Sequence, residues 1–311
     1  MTLALGIDLG GTKIEIIALD EQGNEILRRR KASPRGNYQG TLEALRDLIA
    51  ETEFELGAKG TLGFGTPGAI SPATGLLKNS NSTWLNGKPF DRDLETSLGR
   101  EIAIANDADC LALSEATDGA AAGAQSVFCV IIGTGVGGGL AIRGQPLSGP
   151  NAIAGEWGHN PLPWPSPKEQ PGPDCYCGLN GCIETWLSGP GMEADHLAAT
   201  GQAIDPPAIV KAADAGDADA EATLKRYEHR LARGLAMVIN LIDPDVIVLG
   251  GGLSQLRRLY ETVPRIWERY VFSDTVRTAL RAPLHGDSSG VRGAAWLGRN
   301  RRLIAARWGD T

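Results

Sequence analysis

The apolar positions change period several times along the chain, and each change marks an element. "LALGIDLGG" and "KIEIIALD" are short β-branched runs joined by Gly10-Gly11-Thr12, and they predict a strand, a glycine turn and a second strand. "EILRRRKAS" predicts a third strand whose basic residues form a solvated end. "NYQGTLEALRDLIAETEFELG" then takes up helical spacing and stops at Gly57. A short strand "GTLGFGTPG", a polar loop from Ser71 to Pro89, a strand "EIAIA" and a helix "NDADCLALSEATDGAAAG" follow. Near Gly119 to Gly123 the order restarts, because "SVFCVIIGTGVGGGLAIRG" again reads strand, glycine turn, strand. An irregular stretch rich in Pro and Cys runs from Asn151 to Cys182, and helices continue through Leu241. Beyond it lie a buried strand, "DPDVIVLGGG", a helix, "SQLRRLYETVPRIWERYVF", and a C-terminal helix, "GVRGAAWLGRNRRLIAARW". Two halves that each open on a glycine-turned hairpin predict an α/β protein of two lobes with a cleft between them.

Composition narrows the function classes. With 311 residues the chain can bury a large core. The formal net charge of −7 and scattered basic residues give no footprint for nucleic acid. No apolar run approaches a membrane span, and no signal-peptide pattern opens the chain. Five cysteines without an export signal point to a reducing, cytoplasmic setting.

Three glycine-rich turns follow strands: Gly10-Gly11-Thr12, Gly133-Thr134-Gly135 and Gly250-Gly251-Gly252. Backbone N–H groups in such turns can converge on phosphate. Thr12-Lys13 reverses the order a Walker loop needs, and a strand follows where that motif needs a helix, so the Walker class is excluded. The Rossmann reading of Gly133, Gly135 and Gly138 fails for the same reason. Asp8, on the strand before the first turn, suits a nucleotide's Mg²⁺ held through water, or hydrogen bonds from the turn itself. Asn106-Asp107 opens a helix and suits an N-cap. Asp107 can also accept the proton of an attacking hydroxyl.

The sharpest signal is "GEWGHNPLP" followed by "CYCGLNGCIET". His159, Cys175, Cys177 and Cys182 form a Cys₃His set suited to tetrahedral Zn²⁺. Four protein ligands make the metal structural. Cys110 and Cys129 fall in apolar patterns and read as packing, and His196, His229 and His285 read as structural. Glu156 and Glu184 flank the metal segment, where they could bind a polyol. A carboxylate pair also fits glycoside hydrolysis, but three glycine turns and few aromatic residues rank that second.

These motifs together identify a resemblance. From Leu5 to Trp296, "GIDLGGTK", "NDADC", "IIGTGVGGG", "GEWGH", "CYCGLNGCIE" and "VIVLGGG" resemble the ROK family (repressors, open reading frames and kinases). That family has the two-lobed sugar kinase, actin and heat-shock chaperone fold, which is ribonuclease H-like. Within it, "KNSNSTWLNG", "GEWGHNPLPW" and "HGDSSGVRGAAWL" look like bacterial fructokinases, which often also act on mannose or glucose.

The resemblance implies ATP-dependent phosphorylation of a free hexose, with fructose expected first and N-acetylglucosamine, N-acetylmannosamine, glucose or mannose as alternatives. It makes Asp107 the catalytic base beside Asn106, and places Glu156, His159, Glu184, Gly68 and Asn81 at the sugar. Gly10, Gly11, Thr12, Lys13, Gly133, Thr134 and Gly135 match its phosphate loops, and Gly251 and Gly252 its adenosine loop. It implies a small lobe of residues 1–115 plus 291–311 and a large lobe of residues 116–290. A homodimer is the family's habit. Some members are repressors with a DNA-binding domain ahead of the core. This chain begins on the first strand and is acidic, so the kinase is expected rather than a sugar-sensing regulator.

Overall fold

The computed structural model describes residues 3–286 and 289–300. The expected C-terminal helix beyond Asn300, and Asp287-Ser288 of the histidine-glycine motif, lie outside the described residues. In chain order, β1 (Leu3–Leu9), β2 (Lys13–Leu19) and β3 (Glu25–Ala32) precede α1 (Tyr38–Leu56) and β4 (Gly60–Thr66). Then come β5 (Ala69–Ile70), β6 (Leu77–Lys78), α2 (Phe90–Leu98), β7 (Ala103–Asn106) and α3 (Asp107–Thr117). The second hairpin is β8 (Ser126–Ile132) and β9 (Val136–Ile142), followed by β10 (Gln145–Pro146). After short turns, α4 (Ile183–Leu187), α5 (Gly189–Thr200), α6 (Pro206–Asp214) and α7 (Ala218–Ile242) lead to β11 (Val246–Gly250). Helix α8 (Arg258–Trp267), β12 (Ala279–Arg281) and α9 (Ser289–Arg299) complete the order.

The chain divides into two compact units. The first takes the described residues of Met1–Gly123, Gly139–Ala154 and Leu284–Thr311, and the second takes Ala124–Gly138 and Gly155–Pro283. The changeovers thus fall at 123/124 and 283/284, where the sequence suggested 115/116 and 290/291, and residues 139–154 belong to the first unit.

In the first unit the sheet order is β3-β2-β1-β4-β7. Strands β1 and β2 pair antiparallel with Asp8 opposite Glu15, and β4 pairs parallel with β7, setting Thr66 beside Asn106. Strands β1 and β2 read as continuous apolar runs because both faces of the sheet are covered. Leu5, Ile7, Leu9, Ile14 and Ile16 pack with Leu45, Leu48 and Phe90, while Ala4, Ile17 and Leu19 pack with Val291 and Ala295. Helix α9 needs glycine on both sides of its contact. A Cβ on Gly6 would overlap the Val291 carbonyl, one on Gly63 the Ala294 carbonyl, and one on Gly293 the Cys110 carbonyl.

Three expectations change. The basic run Arg28–Lys31 is paired rather than merely solvated. Strand alternation turns Arg28 and Arg30 onto buried Glu15, and Arg29 and Lys31 onto Glu55 and Glu51 of α1. Helix α2 forms where no helix was expected, with Asp91 and Asp93 in its first turn and Phe90 and Leu94 buried. The helix expected over 254–272 is confined to α8. The Asn240 side chain holds the Tyr270 carbonyl and the Phe272 N–H, and Ser254 sits in a 3₁₀ turn.

In the second unit β8 and β11 pair parallel, as do β11 and β12. Within that unit the strand order is β8-β11-β12. Helix α7 buries Tyr227, Leu231 and Leu235, and its Arg230 and Arg233 hold Glu169 of the proline-rich stretch at 2.9 and 2.8 Å. Burial opposes ionisation there, yet the two guanidiniums bring Glu169 down to about 2. Cys110, Cys129 and His196 are buried, with His196 Nδ1 2.9 Å from Thr223 Oγ1. Among the described residues no helix is long and apolar enough to cross a membrane.

Candidate active site

In the first unit the hairpin turn closes through Gly10 N–H donating to the Lys13 carbonyl at 2.9 Å. The Ser33 N–H bonds the Thr12 carbonyl and Arg35 Nε the Gly11 carbonyl, both at 3.0 Å, so the turn is held from outside. Lys13 Nζ lies 3.8 Å from Glu15. Asn106 ends β7 and caps α3: its Oδ1 accepts from Ala108 N–H at 2.9 Å, and its Nδ2 donates to the Gly68 carbonyl at 3.2 Å. Gly68 has φ 79°, and a Cβ there would overlap the Lys78 carbonyl, so only glycine offers Asn106 that carbonyl. Asp107 follows as the first residue of α3, with Oδ1 accepting from Ala108 N–H at 2.8 Å. Burial, then the carboxylates of Asp107 and Glu15, push Asp8 up to about 7. That crowding of acids on one side of the turn is the setting a divalent cation relieves. Asn81 is exposed on the neighbouring loop, where Ser82 Oγ would lie 3.3 Å from a Cβ on Gly11.

In the second unit the turn Gly133–Gly135 is closed by Gly133 N–H on the Gly135 carbonyl at 3.0 Å. Its Gly133 carbonyl accepts from Gly189 N–H at 2.7 Å, fixing it to the start of α5. Glu184 Oε2 accepts from Val136 N–H at 2.8 Å. Gly251 has φ 81° and a Cβ there would crowd the Ile132 carbonyl, so the fold itself requires that glycine. Gly133 and Gly252 are different: neither has positive φ, and a Cβ on either would meet nothing within 4 Å. Neither packing nor backbone conformation calls for glycine at these two positions. Glycine there leaves the backbone open to close approach.

The segment Glu156–His159 is anchored by Trp157, which sequence reading missed because a lone tryptophan reads as core. Trp157 is buried, its Nε1 donates to the Gly137 carbonyl at 2.9 Å, and its ring meets Phe128 edge-on. A Cβ on Gly158 would overlap the Val136 carbonyl. This anchor leaves Glu156 exposed on one side and brings His159 to the cysteines on the other.

The ligand atoms of His159, Cys175, Cys177 and Cys182 all lie within 4.8 Å of one another. His159 Nδ1 is 3.5 Å from Cys175 Sγ, and Cys177 Sγ is 3.6 Å from Cys182 Sγ. A tetrahedron with Zn–S bonds of about 2.3 Å has edges of about 3.7 Å, so the set fits such an ion. Burial, then the neighbouring sulfurs, push Cys182 up to about 12, whereas the Leu179 N–H leads in drawing Cys177 down to about 7. Tyr176, between two of the thiols, puts its hydroxyl 2.9 Å from His159 Nε2 and stacks edge-on upon that ring. Tyr176 also escaped sequence reading, where only its cysteine neighbours gave a signal.

Residues 4–301 match the family model described as ROK family. The N-acetyl-D-glucosamine kinase of Photobacterium profundum is 38% identical over 296 residues, 94% of this chain and 98% of that protein. That of Aliivibrio fischeri is 40% identical over 299 residues, with the same two coverages. Among solved structures, a ROK hexokinase from Thermus thermophilus superposes with a TM-score of 0.86 at 31% identity, covering 97% of this chain and all of that one.

Proposed function

The chain belongs to the ROK family, and from that premise we propose that this ATP-dependent hexose kinase phosphorylates N-acetylglucosamine. Its α/β units have the sugar kinase, actin and heat-shock chaperone fold. The fructose preference expected from three short stretches gives way here. Those stretches mix loop and packing residues: in "HGDSSGVRGAAWL" a Cβ on Gly293 would overlap the Cys110 carbonyl of α3. The single observation that carries the substrate is the match, over 94% of the chain, to N-acetyl-D-glucosamine kinases.

In the reaction a sugar hydroxyl attacks the γ-phosphorus of ATP, ADP leaves, and the hydroxyl proton passes to a base. Asp107 is that base, held at the start of α3 by its own bond to Ala108 N–H. Asn106 is oriented beside it by Gly68. The turns Gly10–Lys13 and Gly133–Gly135 offer N–H groups to the phosphates, and Gly251 and Gly252 border the adenosine. Asp8 faces the nucleotide's Mg²⁺. Glu156, His159, Glu184 and Asn81 bind the sugar hydroxyls.

His159, Cys175, Cys177 and Cys182 would hold zinc, which would anchor their loop. This chain's own residues do the rest. Trp157 sets the reach of Glu156 and His159, and Glu184 carries the order of the loop to Val136. A coupled ADP-release assay with N-acetylglucosamine, N-acetylmannosamine, fructose, glucose and mannose tests the reading. The highest kcat/KM is expected for N-acetylglucosamine, and a highest value for fructose would restore the fructokinase.

A further inference from the structure

His159 has two ring nitrogens and both are engaged. Nδ1 faces the thiols, 3.5 Å from Cys175 Sγ, and Nε2 faces the Tyr176 hydroxyl at 2.9 Å. A metal ion at the thiols takes the Nδ1 lone pair and leaves the ring's one proton on Nε2, where it serves as a single donor. A hydroxyl ligand can therefore reach His159 only where Tyr176 now sits.

Tyr176 is placed to compete and to yield. It lies between Cys175 and Cys177, so its backbone is fixed by the same loop that fixes His159. Its side chain is otherwise open, with the residue 83% exposed. The His159 ring, met edge-on at a centroid distance of 5.0 Å, and the one hydrogen bond to Nε2 are what hold it. The phenol thus stands on His159, one of the side chains assigned to the sugar.

We propose that Tyr176 is an acceptor-site residue whose hydroxyl occupies the sugar's place on His159 Nε2 and is displaced when the sugar binds. The inference rests on the hexose-kinase reading and adds to it a competitor built into the protein. Binding then exchanges one hydrogen bond at Nε2 for another, so the wild type gains nothing from that contact. A variant without the phenolic oxygen gains it in full.

Tyr176→Phe keeps the ring stack and removes only the hydroxyl, at an exposed position where folding is not at stake. Calorimetric titration of N-acetylglucosamine into wild type and variant, both with zinc content verified, is compared with KM and kcat. The variant is expected to bind the sugar about two- to tenfold tighter, as one net hydrogen bond implies. KM should fall by the same factor and kcat should stay within about twofold. Tyr176→Ala is expected to shift binding in the same direction. Unchanged or weaker binding in Tyr176→Phe, with an active wild type, overturns this inference alone. A wild type that phosphorylates no hexose overturns the kinase reading and the inference together.

Discussion

Glu184 Oε2 accepts a hydrogen bond from the Val136 backbone N–H at 2.8 Å. One carboxylate thereby joins α4, which starts just after Cys182, to the strand leaving the Gly133–Gly135 turn. The two ends of this bond belong to segments that the sequence assigns to different substrates, the sugar and the nucleotide.

Substitution at Glu184 should separate those roles. Glu184→Gln keeps an oxygen for Val136 but loses the charge, so the sugar KM should rise about tenfold or more while the ATP KM holds. Glu184→Ala should raise both. Chelation of the metal should resemble Glu184→Ala, because it frees the loop that positions α4. Steady-state kinetics on the three samples checks this, and an ATP KM that is indifferent to Glu184→Ala contradicts the coupling.

Asp107→Asn should lower kcat by about 10²- to 10⁴-fold and leave the sugar Kd within a few fold, since only the proton acceptor changes. The asparagine oxygen can still accept from Ala108 N–H, so α3 should remain intact. Single-turnover kinetics and calorimetry on one preparation give both numbers.

Glycines here fall into two classes with opposite signatures. Gly293→Ala places a Cβ against the Cys110 carbonyl and should destabilise the fold by about 1–3 kcal/mol or more. Gly133→Ala meets nothing within 4 Å, so its Tm should match wild type while its ATP KM rises. Thermal melts paired with ATP kinetics decide the matter. A lowered Tm for Gly133→Ala would show that the protein, and not the ligand, needs that glycine.

Asp8 gives the stability of the ligand-free protein a pH dependence with a definite sign. Its carboxyl is raised from an ordinary value of 3.8 to about 7, by burial first and then by Asp107 and Glu15. Between those values the folded state binds more protons than the unfolded state, so this group's contribution to stability falls as pH rises. Above about pH 7 the full cost of the buried charge is present. The Tm advantage of Asp8→Asn over wild type should therefore grow from pH 5 to 7 and level off above. A constant difference across that range contradicts it.

Much of this was legible in the sequence because the signals were local. The strands β1 and β2 announced themselves as β-branched runs around two glycines, and the three cysteines with His159 lie close together in the chain. What escaped depended on partners distant in sequence or on single residues. Arg28 and Arg30 read as a solvated end because Glu15, their partner, lies on another strand. The helix around α8 was drawn too long because its apolar period continues past Trp267, whereas the Asn240 side chain captures the backbone there. Trp157 and Tyr176 each stand alone in their motifs, and only the fold shows that one anchors His159 and the other occupies its open nitrogen.

The most direct test is a competition. Equal concentrations of N-acetylglucosamine and fructose are given to the enzyme with limiting ATP, and the products are resolved by phosphorus NMR. N-acetylglucosamine phosphate is expected to dominate, with its formation matching the ADP released. Dominant fructose phosphate, or ADP released without any sugar phosphate, would contradict it.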